Sequence, residues 1–173
     1  MALALFSRLT KQLQDAEAEL EKLLRGHLTQ QKVRKEAPQL YDEYVHSSAM
    51  GQGIAAVYGG LEQIMESIVN EVDDSPIKGE NFHEKLIDQL SVRVEGVRER
   101  LLSDELGRLL HELRSFRHVI RHNYPGRIEH GKVLQNLDTL KKAMKLFPRD
   151  YHVLRESLEA EEEPAALPSR RKR

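Results

Sequence analysis

The 173-residue chain balances 27 Lys and Arg against 28 Asp and Glu, and its net charge of −1 excludes a protein that coats nucleic acid by bulk attraction. It has no cysteine, which rules out a disulfide framework, a thiol nucleophile and a Cys-ligated zinc site and suits a reducing cytoplasm. The length fits one domain with room for a core.

The opening Met1-Ala-Leu-Ala-Leu-Phe6 is too short for the apolar region of a signal peptide, with Arg8 and Lys11 close behind. From there Leu9, Leu13, Ala16, Leu20 and Leu24 recur at spacings of three and four, predicting a long first helix that breaks at Pro38. Ile54, Val57, Leu61, Ile64, Ile68 and Val72 form the apolar stripe of a second helix, stopped by the acidic turn Asp73-Asp74-Ser-Pro76. Gly51-Gln-Gly53 and Gly59-Gly60 lack the preceding strand and the lysine of a phosphate-cradling loop and read as close helix-packing positions. Lys78 to Asn81 is a loop, and Asn81 is placed to cap a short third helix with Leu86, Ile87 and Leu90. His83, at the start of that helix, reads as a capping or packing residue.

A fourth helix carries Leu102, Leu106, Leu109, Leu110, Leu113, Phe116 and Ile120, capped by Ser103 or Asp104 and stopped by Pro125-Gly126. A fifth spans about Gly131 to Phe147; Pro148 ends it, and a separate short helix follows around Asp150 to Ala160. The run from Glu161 to Arg173, acidic and then basic, reads as a disordered tail. The expected fold is therefore all-α, an antiparallel bundle of about five helices with a long N-terminal helix, forming one domain over 1–160 and a tail over 161–173. No segment is apolar and long enough to span a bilayer.

Chemistry concentrates at the end of the fourth helix, in Arg114-Ser-Phe-Arg117-His-Val-Ile-Arg-His122-Asn-Tyr124-Pro-Gly-Arg127. Arg117 is a permanent cation that can fork onto a phosphate, and His122 can give or take a proton near neutrality, a pairing suited to metal-free phosphodiester chemistry on RNA. Arg114, His118, Arg121 and Arg127 add positive charge with no acid between Ser115 and Arg127, so phosphates can be bound at one focus; a solvated basic face offset by Glu112 and Glu129 is the plainer alternative. His118 and His122 stand four apart, but no Glu follows the first and no third ligand sits at a recognised spacing, so neither a metal site nor a cofactor is expected. On a regular helix Arg117 and His122 diverge by ~140°. Arg117 also falls inside the apolar stripe, where an unpaired charge is costly unless it faces an interface or a phosphate. Either the helix deforms before Pro125 or the site is completed by a second copy across a two-fold axis, and the two points together favour the second copy.

Arg117 with four residues to His122 and Tyr124 two further on resembles the Arg-x4-His-x-Tyr signature of HepT-like ribonuclease toxins of the HEPN superfamily. Tyr58-Gly-Gly-Leu-Glu-Gln-Ile-Met65 resembles the second-helix segment of the same family. The likeness covers about 44–147. Many HEPN proteins carry Asn directly after the arginine, where this chain has His118. The resemblance implies a toxin of a toxin–antitoxin pair, a metal-independent endoribonuclease acting as a homodimer through Arg117 and His122. It also implies an MntA-like minimal nucleotidyltransferase antitoxin that silences the toxin by AMPylating Tyr124. A catalytically silent HEPN-type module that binds RNA or protein, and a helical scaffold, are the competing readings.

Overall fold

The computed structural model describes residues 2–122 and 128–162; Tyr124 and Arg127 of the expected site, and residues 163–173 of the expected tail, lie outside them. Within these residues the chain is all-helical: α1 (Ala2–Glu36), a 3-10 turn at Pro38–Leu40, α2 (Glu43–Glu71), α3 (Phe82–Leu90), α4 (Asp104–His122) and α5 (His130–Glu162). No strand forms among the described residues; the one extended pairing is an isolated bridge between Val94 and Arg98.

The expected boundaries hold for α1 to α3 and for the start of α4, and the local reasons are visible; the expected stop of α4 at Pro125-Gly126 lies outside the described residues. Pro38 begins the 3-10 turn that separates α1 from α2. Asp42 then caps α2 by accepting a hydrogen bond from the Val45 amide at 3.0 Å. Asn81 does precede α3, but in the left-handed region at φ 60° and without a side-chain cap bond; asparagine is among the few side chains that tolerate this conformation. Ser103 precedes α4, but its buried hydroxyl has no hydrogen-bond partner and so caps no amide of the first turn; its own amide donates to Asp150 Oδ2 at 2.9 Å.

The second half of α5 departs from expectation. Pro148 lies inside one continuous helix instead of ending it. An interior proline costs about 3 kcal/mol, but Phe147, Tyr151 and Leu154 keep the helical spacing across it and are all buried, at about 1.5–3 kcal/mol each. Tyr151 also donates its hydroxyl to the Phe6 carbonyl at 3.1 Å and packs its ring on Phe6. Packing against α1 therefore outweighs the missing backbone bond.

The core sits around α2, whose Ile54, Val57, Tyr58, Leu61, Ile64, Met65 and Ile68 are almost wholly buried among residues of the other four helices. Two glycines let neighbours approach it. A Cβ on Gly51 would stand 2.7 Å from Ile120 Cδ1 on α4, and one on Gly53 would collide with Leu23 on α1. The packing role expected of this segment is thus seen at Gly51 and Gly53, whereas Gly59 faces open space. The loop from 91 to 103 is pinned by Arg98, which is buried against Asp73 at the end of α2. At the opposite end His27 of α1, His46 of α2 and His130 of α5 gather, with His27 Nδ1 3.2 Å from His46 Nε2 and His130 Nδ1 2.8 Å from Ser47 Oγ.

Candidate functional site

The charge that the apolar stripe of α4 seemed unable to accommodate has a partner inside the chain. Arg117 turns inward from α4, and its Nε lies 3.3 Å from Glu62 Oε2 on α2, with the two side chains only 17% and 8% exposed. A carboxylate within the chain thus meets this guanidinium. His83, second residue of α3, closes the triangle: its Nδ1 is 2.7 Å from Glu62 Oε1 and its Nε2 is 3.4 Å from Arg117 Nη1. The first separation is an ion-pair distance without hydrogen-bond alignment, since neither atom has a hydrogen-bond partner.

One turn before Glu62, Tyr58 is fully buried. Burial, and then the charge of Glu62, push its hydroxyl well above the ordinary phenol range, so Tyr58 stays neutral beneath the triangle.

The neighbouring cations are held differently. Arg114 pairs with Glu84 of α3 at 3.2 Å. The basic face is thus offset by Glu62 and Glu84, not by Glu112 and Glu129 as the plainer reading of the sequence had it; Glu112 instead accepts from Thr139. His118 and His122 stack at 4.2 Å with planes 17° apart. His122 Nδ1 lies 3.1 Å from the His118 carbonyl; a carbonyl only accepts, so Nδ1 carries the proton and Nε2 faces outward.

Because α4 remains helical through His122, Arg117 and His122 do leave on different faces, as the spacing predicts. They nonetheless line one cleft of about 690 Å³ together with His83, Arg114, His118 and Arg121. A second cleft, about 630 Å³, opens between α1 and α2 and shares Phe82, His83, Arg117 and Arg121 with the first. Five of the seven expected site residues, Arg114, Arg117, His118, Arg121 and His122, therefore border one space. Among the described residues no group of three or more His, Asp or Glu side chains is arranged to hold a metal ion.

A family model described as HepT-like protein matches residues 49–158, well over half of the chain. The chain belongs to the HepT-like family. No curated protein and no solved structure matches it. The HepT-like match takes in most of α2 and everything through the proline-spanning part of α5, beginning later and ending further on than the expected 44–147, and leaves α1 outside. It places the chain in the HEPN superfamily.

Two members of the site were not found from sequence. Glu62 lies in the Tyr58–Met65 segment but shows its function only through a helix 55 positions away. The available signal was a matched pair of misfits, an acid inside the stripe of α2 and a base inside the stripe of α4. His83, read as a capping or packing residue, instead touches both.

Proposed function

We propose that this HepT-like protein is the toxin of a toxin–antitoxin pair, a metal-independent endoribonuclease that cleaves cytoplasmic RNA by transfer to the 2′-hydroxyl. The observation that carries the reading is Arg117, fixed by buried Glu62 at the edge of a cleft that His122 and Arg121 also border. Arg117 stabilises charge growing on the phosphate oxygens, and His122 moves a proton at the reacting oxygens. Arg114, His118 and Arg121, with Arg127, bind flanking phosphates. Two protomers face each other across a two-fold axis, so that each cleft is bordered by a second copy of the motif. Tyr124 is the switch: AMP placed on it by a minimal nucleotidyltransferase antitoxin adds a bulky anion beside the arginines that RNA needs.

A catalytically silent RNA- or protein-binding module is the second reading. It draws support from the carboxylates that already engage Arg114 and Arg117. Incubation of purified protein with RNA in excess chelator decides between them. Fragments ending in 2′,3′-cyclic phosphate that vanish in Arg117→Ala and His122→Ala carry the nuclease reading; intact RNA that is bound equally well by all three proteins overturns it. Intact mass after co-expression with a candidate antitoxin tests the switch, which requires an AMP-sized increment absent from Tyr124→Phe.

A further inference from the structure

We infer that His83 is a second proton-transfer residue of this site, the general base that takes the 2′-hydroxyl proton, with Glu62 as the carboxylate that stabilises its protonated form. The inference rests on the nuclease reading and deepens it. Transfer to the 2′-hydroxyl moves two protons on opposite sides of phosphorus. The bond from 2′-oxygen to phosphorus forms while the bond to the 5′-oxygen breaks; one proton leaves the nucleophile and another must reach the leaving oxygen. A single imidazole does not serve both oxygens in one in-line step; the proposed dimer brings a second His122 to the cleft, and His83 is the imidazole that already meets Arg117 within one protomer. The chain places a second imidazole beside the same guanidinium.

The tautomer follows from its neighbours. An arginine donates and never accepts, so His83 Nε2, facing Arg117 Nη1 at 3.4 Å, presents its lone pair and the ring proton sits on Nδ1 beside Glu62. This is the state of a base ready to accept. When Arg117 swings Nη1 onto a phosphate oxygen, the His83 Nε2 lone pair is released into the cleft. As that nitrogen takes the 2′-hydroxyl proton, the new imidazolium lies 2.7 Å from the Glu62 carboxylate, whose charge stabilises it. With 42% of its side chain exposed and both clefts bordered by it, His83 is open to substrate, whereas Glu62 is 8% exposed and borders only the cleft between α1 and α2.

His122 supplies the other half. It stands five residues beyond Arg117, about 7.5 Å along the helix axis. Its Nδ1 proton is committed to the His118 carbonyl, so His122 acts from its imidazolium form, whose second proton, on Nε2, is the one delivered to the leaving 5′-oxygen. No oxidant, reductant or added group is required.

The test compares ordinary RNA with RNA whose scissile 5′-oxygen is replaced by sulfur, a leaving group that needs no protonation. His83→Gln should lower cleavage by about 10²–10⁴-fold on both substrates, whereas His122→Ala should be deficient on ordinary RNA and recover on the sulfur-substituted one. Added imidazole should restore part of the activity of His83→Ala, which a merely structural role would not allow, and melting curves of the variants show whether they fold. Cleavage by His83→Gln within about threefold of wild type, or a His83→Gln defect that disappears on the sulfur substrate, overturns the assignment while leaving the nuclease reading intact. Wild-type protein that cleaves neither substrate overturns both.

Discussion

Arg98 is buried beside Asp73, just past the end of α2, and Arg117 is partly buried beside Glu62 of α2; the first is a fastening, and the second, on the function proposed above, is a tool. Arg98 spends every donor: Nε and Nη2 on Asp73 at 2.5 and 2.8 Å, Nη2 again on the Gln89 carbonyl, and Nη1 on the carbonyls of Val92 and Glu99. Its side chain and that of Asp73 are 0% and 1% exposed. Arg117 makes one ion pair and one long contact to His83 and borders two clefts. Burial of a charge therefore does not mark function by itself. Donor capacity left over, facing space that a ligand can enter, does.

The contrast is broken most directly at the closed pair. Arg98→Met strands the Asp73 carboxylate in the core and should destabilise the fold by about 3–5 kcal/mol in urea unfolding; a change below about 1 kcal/mol would show that Asp73 finds water or a proton and that the fastening is dispensable. At the open pair the loss should appear in rate. Arg117→Ala should reduce RNA cleavage by about 10²–10³-fold, equivalent to about 2.7–4 kcal/mol, yet cost less than about 1.5 kcal/mol of stability, because Glu62 keeps His83 as a partner. A large drop in unfolding midpoint with near-normal cleavage would reverse the two roles.

Glu62→Gln sharpens the comparison further, since it keeps an acceptor beside Arg117 and removes the charge. We expect about a tenfold fall in kcat, or about 1.4 kcal/mol, with KM changed little. A pure KM effect would mean that Glu62 only tunes RNA binding. The smallest effect should come from the histidine cluster. Burial first, and then neighbouring cationic groups, hold His27 and His46 below the ordinary value of 6.5. A lowered folded-state pKa means that the unfolded chain binds more protons, so this contribution is present above the ordinary value and is lost as pH falls through the lowered ones. Urea midpoints should thus decline slightly between about pH 7 and about pH 5, less so in His46→Gln; a midpoint that climbs on acidification would contradict the sign.

Much of this fold was legible because helices declare themselves by spacing. The stripes of α1, α2 and α4 are the buried faces seen in the bundle, and Pro38 and the turn after Val72 punctuate them as local chemistry predicts. Pro148 misled for the opposite reason. Its penalty is local and readable, whereas the packing of Tyr151 on Phe6 that overrides it joins residues 145 positions apart. The site divides along the same line. Arg117 and His122 stand in one short motif and were found together, but the partner that neutralises Arg117 and the imidazole beside it come from α2 and α3. The argument for a two-fold site from a stranded charge failed there, because the sequence shows that a charge lies on an apolar face and not what stands opposite.

The bond from the Tyr151 hydroxyl to the Phe6 carbonyl has a consequence for how the protein is made. Phe6 and Leu9 are nearly inaccessible in the finished fold, but the α5 residues that cover this end of α1 leave the ribosome only after α4 and its motif have been synthesised. α2 follows α1 directly and already packs along it, with Glu71 meeting Arg8, but the Tyr151 side of this end is supplied last, so the bundle closes by a late, long-range step. Trimming α5 before Tyr151 would leave that side of Phe6 open.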